Sequence, residues 1–116
     1  MLNLRKLEEE QTRLSKKVVL KNEFEELTLI GGLDHSYFDQ NVIAGIVVCK
    51  YPSLEIVERK FFVRPSKMPY IPGFLAYRAM PAAAEAYSQL DQKPHLMMID
   101  GNGILHPRGC GIASHF

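Results

Sequence analysis

The 116-residue sequence predicts a single α/β domain, residues 1–116, in which a mixed sheet is flanked by helices. Two kinds of hydrophobic spacing support this prediction. Apolar residues recur at helical spacing over residues 2–20 and 73–90, whereas short apolar runs typical of strands end at Ile30, Cys49 and Ile99. We expect the order helix, strand, strand, strand, helix, strand, followed by a glycine-rich loop.

The first helix carries an apolar stripe that consists of Leu4, Leu7, Leu14 and Val18, with charged residues mostly elsewhere. Such an amphipathic helix usually buries its stripe against another element. We therefore predict that it covers one face of the sheet.

The middle of the chain predicts an antiparallel hairpin or meander over residues 43–63, since Tyr51-Pro52-Ser53 marks a turn between two extended runs. Three prolines then make residues 64–72 an irregular loop. After the last strand, Leu96–Ile99, only a glycine loop and a short tail follow, so we expect the domain to be truncated at its C-terminal end.

Composition limits the function classes. The 14 basic and 13 acidic residues give a net charge of +1, which excludes a general polycation, so nucleic-acid binding would need a local patch. No apolar run has the length of a membrane span, and the N-terminus is charged, unlike a signal peptide. Two cysteines without metal-ligand spacing predict a reducing, cytoplasmic location.

Two aspartates are candidate metal ligands. Asp34 and Asp100 each follow an apolar run and lie in a glycine-containing segment that we expect to turn. At adjacent strand ends they could share a divalent cation, and oxygen ligands favour Mg²⁺ or Mn²⁺. Such a site activates water for attack on a phosphodiester. The alternative interpretation is that each carboxylate caps a tight turn.

A basic window supports a phosphate-containing partner. It contains no acidic residue and lies beside Tyr70 and Phe74, whose rings could contact bases. An ordinary surface of mixed charge is the alternative interpretation. The basic residues of this window are Arg59, Lys60, Arg64, Lys67 and Arg78.

Five segments resemble, in order, those of the endonuclease V family, the deoxyinosine-specific repair nucleases. They are Gly32–Tyr37, Tyr51–Glu55, Met68–Arg78, Asp100–Arg108 and Gly111–His115. The resemblance implies a ribonuclease H-like fold and Mg²⁺-dependent hydrolysis of a phosphodiester near inosine. The implied partner is DNA that contains inosine, or the corresponding RNA.

The resemblance also implies roles for individual residues. Asp34 and Asp100 match metal-binding catalytic carboxylates, and Tyr70 matches the wedge that fills the space of the displaced base. The remaining matched positions imply contacts with nucleic acid or with the flipped hypoxanthine: Ile71, Pro72, Gly73, Arg78, Gly101, Gly103, His106 and Arg108.

Two departures from the family pattern predict impaired cleavage. The family has a metal-binding glutamate shortly after the wedge, and this sequence has Ala79 there. Family members also continue beyond Ser114-His115 with further strands, helices and active-site groups. Two alternatives follow: a non-catalytic module that binds inosine-containing nucleic acid, or a remnant that oligomerises through an exposed sheet edge.

Overall fold

The structure is a computed structural model that describes residues 3–66 and 68–116. Within these residues, three helices and four strands follow one another in the predicted order, and the third helix is a short one at the end that was not predicted. Their bounds are α1 Leu4–Ser15, β1 Leu29–Phe38, β2 Asn41–Lys50, β3 Ile56–Pro65, α2 Leu75–Ser88, β4 Leu96–Ile99 and α3 Ile112–His115.

The strands form one mixed sheet with the order β3-β2-β1-β4. The first three strands are an antiparallel meander, and β4 pairs with β1 in parallel. The parallel pairing is possible because α2 supplies the long crossover that a parallel connection needs. The predicted α/β class, mixed sheet and 51–53 turn are confirmed.

The core lies between this sheet and α2. Because side chains alternate across a strand, β2 buries every second one against the helix, and α2 meets them mainly through alanines. Small side chains let the helix approach the sheet closely. The buried β2 residues are Val42, Ala44, Ile46 and Val48, each exposed by 1% or less.

Two expectations about β1 and α1 are wrong. The run that was expected to end at Ile30 continues to Phe38, so Asp34 lies within the strand and not in a turn. Gly31 is needed here for close approach, since a Cβ at this residue would collide with the side chains of Met97 and Pro94. Helix α1 does not cover the sheet, because its contacts within the described residues are with α2, α3 and two loops.

The second face of the sheet is open. The molecule measures 45 × 35 × 18 Å, and 18 Å accommodates one sheet and one layer of helices. Its surface of 7705 Å² exceeds the roughly 6,400 Å² expected for a compact monomer of this mass. The open face carries Ile43, Val47, Phe61, Val63 and Met98 around Asp34. None of the helices in residues 3–66 and 68–116 is long and apolar enough to cross a membrane.

Candidate functional site

The parallel pairing of β1 with β4 brings Asp34 and Asp100 to one place. Leu33 is the β1 partner of Ile99, and its carbonyl accepts a hydrogen bond of 3.2 Å from the Asp100 amide. Each aspartate therefore follows directly after one of these two paired residues. Both line an open depression of about 480 Å³ on the uncovered face of the sheet.

The two carboxylates are exposed and largely unengaged. Asp34 Oδ1 accepts a 2.7 Å hydrogen bond from the amide of His35, and neither carboxylate forms an ion pair with another described residue. Oxygen donors of this kind suit Mg²⁺, which is often held by one or two carboxylates together with water and phosphate oxygens. In the described part of the chain, however, no group of three or more His, Cys, Asp or Glu could hold a metal ion.

Ala79 lies fully buried on α2, with an exposure of 0%, in an apolar cluster with Ala76 and Ile112. The Ile112 side chain also lies directly against Gly101, the residue after Asp100. The Ile112 side chain therefore lies between Ala79 and the loop that follows Asp100. A methyl group there offers no metal ligand, which leaves the pair of aspartates without a third acid.

The carbonyl of Gly73 joins two loops that are far apart in sequence. It accepts hydrogen bonds from His106 Nε2 at 2.7 Å, Gln11 Nε2 at 2.8 Å and Arg108 Nη2 at 3.0 Å. His106 Nδ1 accepts from the Arg108 amide, which leaves the ring proton on Nε2 for Gly73. Gly73 has a φ of 88°, and a Cβ there would lie 2.6 Å from Arg108 Nη2, so glycine is required.

A small cavity of about 80 Å³ lies between these loops. The Tyr70 side chain borders it and is 60% exposed, so its ring is free to contact a ligand. The lining residues come from α1, the loop before α2, α2 itself, the glycine loop and α3: Gln11, Tyr70, Gly73, Leu75, Ala76, Asn102, His106, Gly111 and Ile112.

Other predicted binding residues lie around this cavity without lining it. Ile71 and Pro72 form the turn before α2, where the Ile71 carbonyl accepts a hydrogen bond from the Phe74 amide. In the glycine loop, the Gly103 carbonyl accepts from the Gly111 amide at 2.9 Å. The loop is thereby tied to the segment that starts α3.

Arg78 is separate from the Gly73 cluster. The Cζ of its guanidinium lies 4.1 Å from the centre of the Tyr37 ring. Arg78 also lines another open cavity, of about 430 Å³, which Pro69 borders as well. Burial raises the pKa of Tyr37, so its hydroxyl stays protonated.

The predicted basic window does not form one patch, because Arg59 and Lys60 alternate between opposite faces of β3. Lys67 lies outside the described residues.

Six residues that line the cavity were not predicted as site residues, namely Gln11, Leu75, Ala76, Asn102, Gly111 and Ile112. A signal for Gln11 is present in the sequence. It lies four residues after Leu7 and three before Leu14, so it occupies the apolar stripe of α1. Asn102 and Gly111 belong to recognised segments, but the sequence gives no indication that their backbones meet.

Comparisons with known proteins give one consistent result. A family model described as Endonuclease V matches residues 12–116. The curated endonuclease V of Dictyoglomus turgidum is 44% identical over 105 residues, which is 90% of this chain and 46% of that protein. The chain spans about half the length of the curated relatives it matches.

Solved structures are similar in fold. The catalytic domain of human endonuclease V superimposes with a TM-score of 0.89 at 34% identity, over 97% of this chain and 52% of that one. Endonuclease V of Ciona intestinalis superimposes with a TM-score of 0.87 at 24% identity, over 97% of this chain and 52% of that chain. That protein was crystallised with a 24mer DNA containing an inosine followed by a ribo-adenosine.

Proposed function

Since the chain belongs to the endonuclease V family, we propose that it binds inosine-containing DNA and retains, at most, impaired Mg²⁺-dependent cleavage. The observation that carries this proposal is the junction at the Gly73 carbonyl. It brings the Tyr70 loop against the glycine loop and creates a lined cavity beside an exposed aromatic ring. These are the parts that recognition of an extruded base requires.

Recognition would follow from the cost of extruding a base. A mispaired base is cheaper to unstack than a paired one, which favours inosine over normal bases. The exposed Tyr70 ring would occupy the vacated space, since aromatic rings stack on neighbouring bases whatever the sequence. The cavity between Gly73 and Asn102 would receive the base edge, where polar groups can distinguish the oxygen and N–H of hypoxanthine.

Asp34 and Asp100 are the residues that would hold Mg²⁺ or Mn²⁺. When bound, the ion would polarise the phosphate and lower the pKa of a water that attacks it. The Asp34 oxygen that accepts the His35 amide is fixed in direction by that bond. Because Ala79 supplies no third carboxylate, we propose that the ion is held weakly and that cleavage is slow.

Similarity to the Ciona protein supports DNA as the partner, because that protein was crystallised with inosine-containing DNA and has the same fold. Binding of inosine-containing RNA, measured beside binding of the DNA, tests whether DNA is the preferred partner. We also propose a cytoplasmic location, which fits the free thiols of Cys49 and Cys110. Self-association through the exposed sheet edge at β4 remains part of the proposal.

A second candidate function is a non-catalytic binding module, which is favoured specifically by the buried methyl group of Ala79. Both candidates predict selective binding, and they differ only in cleavage. Cleavage therefore decides between them.

The test incubates the chain with labelled duplexes that contain one inosine or a matched adenine, in Mg²⁺ and in Mn²⁺. Retained complexes and cut products are measured in the same samples, with an inosine-containing RNA as a further arm. We expect selective retention of the inosine duplex with slow or absent cutting. Equal retention of both duplexes would contradict the proposal.

A further inference from the structure

Gln11 is the buried residue of α1, although it is polar and the leucines of the same helix are only partly buried or exposed. Among residues 3–66 and 68–116 it is the only polar or charged residue that is buried, with an exposure of 1%. Burial of an amide is costly unless its donor and acceptor are both satisfied. The burial of Gln11 therefore requires hydrogen-bond partners for both the nitrogen and the oxygen of its amide.

Both ends of the Gln11 amide are engaged, each by a different loop. Its Nε2 donates to the Gly73 carbonyl at 2.8 Å, and its Oε1 accepts from Arg108 Nε. These partners are 62 and 97 residues away in sequence. A primary amide is the side-chain group that offers a donor and an acceptor side by side for such a bridge.

The bridge fixes the spacing of the loops that border the cavity. Arg108 itself reaches the Gly73 carbonyl through Nη2 and stacks on the Phe74 ring at 4.5 Å. Gln11 holds the Nε of the same guanidinium, so it sets the orientation of the planar group. Without this contact, the partly buried Nε–H would lose its acceptor, and α1 would keep the 4.0 Å ion pair between Glu8 and Arg108 Nη1 as its contact with that guanidinium.

From these contacts we propose that Gln11 is a positioning residue, which clamps the Gly73 loop to the Arg108 loop and so sets the width of the base cavity. The proposal rests on the proposed function, since it concerns the same cavity. Gln11 lines that cavity, but its amide nitrogen and its amide oxygen each already form a hydrogen bond with one of the two loops. It therefore acts through Gly73 and Arg108 and not through contact with the base.

The test compares Gln11→Met with Tyr77→Phe. Methionine matches glutamine in length but makes neither hydrogen bond. Tyr77 also holds α1, because its hydroxyl donates to Glu10 Oε1 at 2.8 Å, yet among the described residues it forms no hydrogen bond with Gly73 or Arg108. Tyr77→Phe therefore controls for a general weakening of the α1 attachment.

Two readouts are measured for the native chain and both variants. The first is hydrogen exchange in residues 70–76 and 101–111 of the free chain, followed by mass spectrometry. The second is the ratio of dissociation constants for adenine and inosine duplexes. For Gln11→Met we expect faster exchange in both segments and a selectivity ratio lower by about tenfold, the effect of one or two lost hydrogen bonds. Tyr77→Phe should change neither, although it lowers the melting temperature.

The outcomes separate the two proposals. Equal effects of both variants, or unchanged exchange in Gln11→Met, would overturn the positioning role. A native chain that does not prefer inosine would instead refute the proposed function and, with it, the link from Gln11 to base recognition. The exchange measurement would then still decide whether Gln11 holds the loops together.

Discussion

Replacing Ala79 by glutamate restores the acidic residue that the family pattern implies, at a position with no exposed surface. The larger side chain overfills a packed cluster, which costs about 1–3 kcal/mol. An unpaired buried carboxylate adds about 3–5 kcal/mol when no partner is present. We therefore expect Ala79→Glu to lower the free energy of unfolding by at least about 4 kcal/mol without metal. That is a large part of the roughly 5–15 kcal/mol typical of a domain.

A divalent ion should reverse part of this loss, because Asp34, Asp100 and the new carboxylate would share it. At a metal concentration 100 times the dissociation constant, binding to the folded state adds about 2.7 kcal/mol. For a chain of this length the gain raises the melting temperature by about 10 °C. The assay is a thermal melt in EDTA and in a series of Mg²⁺ and Mn²⁺ concentrations, followed by circular dichroism.

Two variants make the measurement specific. Ala82→Glu buries the same group at a residue that is 1% exposed but packs on the sheet core, so metal should not rescue it. Ala79→Gln has the shape of the glutamate without its charge and should gain little from metal. If Mg²⁺ and Mn²⁺ raise the melting temperature of Ala79→Glu no more than that of Ala82→Glu, then position 79 does not belong to a metal site with the two aspartates.

Three further predictions concern other parts of the molecule. Tyr70→Ala should weaken binding of the inosine duplex by about tenfold or more, as expected for one lost base stack. The melting temperature should stay unchanged, because the ring is 60% exposed. A strong loss of stability would show that the ring has a structural role. Burial lowers the pKa of His115 in the folded chain, so the unfolded chain binds protons more readily. The free energy of unfolding should therefore fall as the pH drops below about 6.5 and through the lowered pKa. Thermal melts should show a smaller fall for His115→Gln, and an equal fall would show that His115 does not cause it. Met98→Lys places a charge on the edge strand β4, where the native side chain is 65% exposed. It should reduce concentration-dependent association in sedimentation experiments without lowering the melting temperature. Unchanged association would show that the β4 edge is not the contact surface.

The order of helices and strands along the chain could be anticipated from sequence, because the decisive signals are local. Apolar runs before Asp34 and before Asp100 predict buried strands, and the helix between them predicts a mixed α/β sheet. In the structure Leu33 and Ile99 pair directly. This pairing lets Asp34 and Asp100 line the same depression, although Asp34 lies inside its strand and not at its end.

The remaining features depend on contacts between distant residues. Gly31-Gly32 indicated a turn, and only the packing of Pro94 and Met97 against Gly31 explains why glycine occurs in an extended strand. The burial of Gln11 likewise depends on Gly73 and Arg108. The spacing of Gln11 from Leu7 and Leu14 puts it on the apolar stripe of α1. This spacing does not show that the stripe packs against the loops of Gly73 and Arg108.

The most direct test of the central claim asks whether the chain displaces an inosine base from the duplex. A 2-aminopurine beside the inosine fluoresces more strongly when its neighbour is unstacked, and the matched duplex carries adenine at the inosine position. We predict that saturating amounts of the native chain raise the fluorescence of the inosine duplex and leave the matched duplex unchanged. An equal response of both duplexes, or binding without any change in fluorescence, would contradict the account.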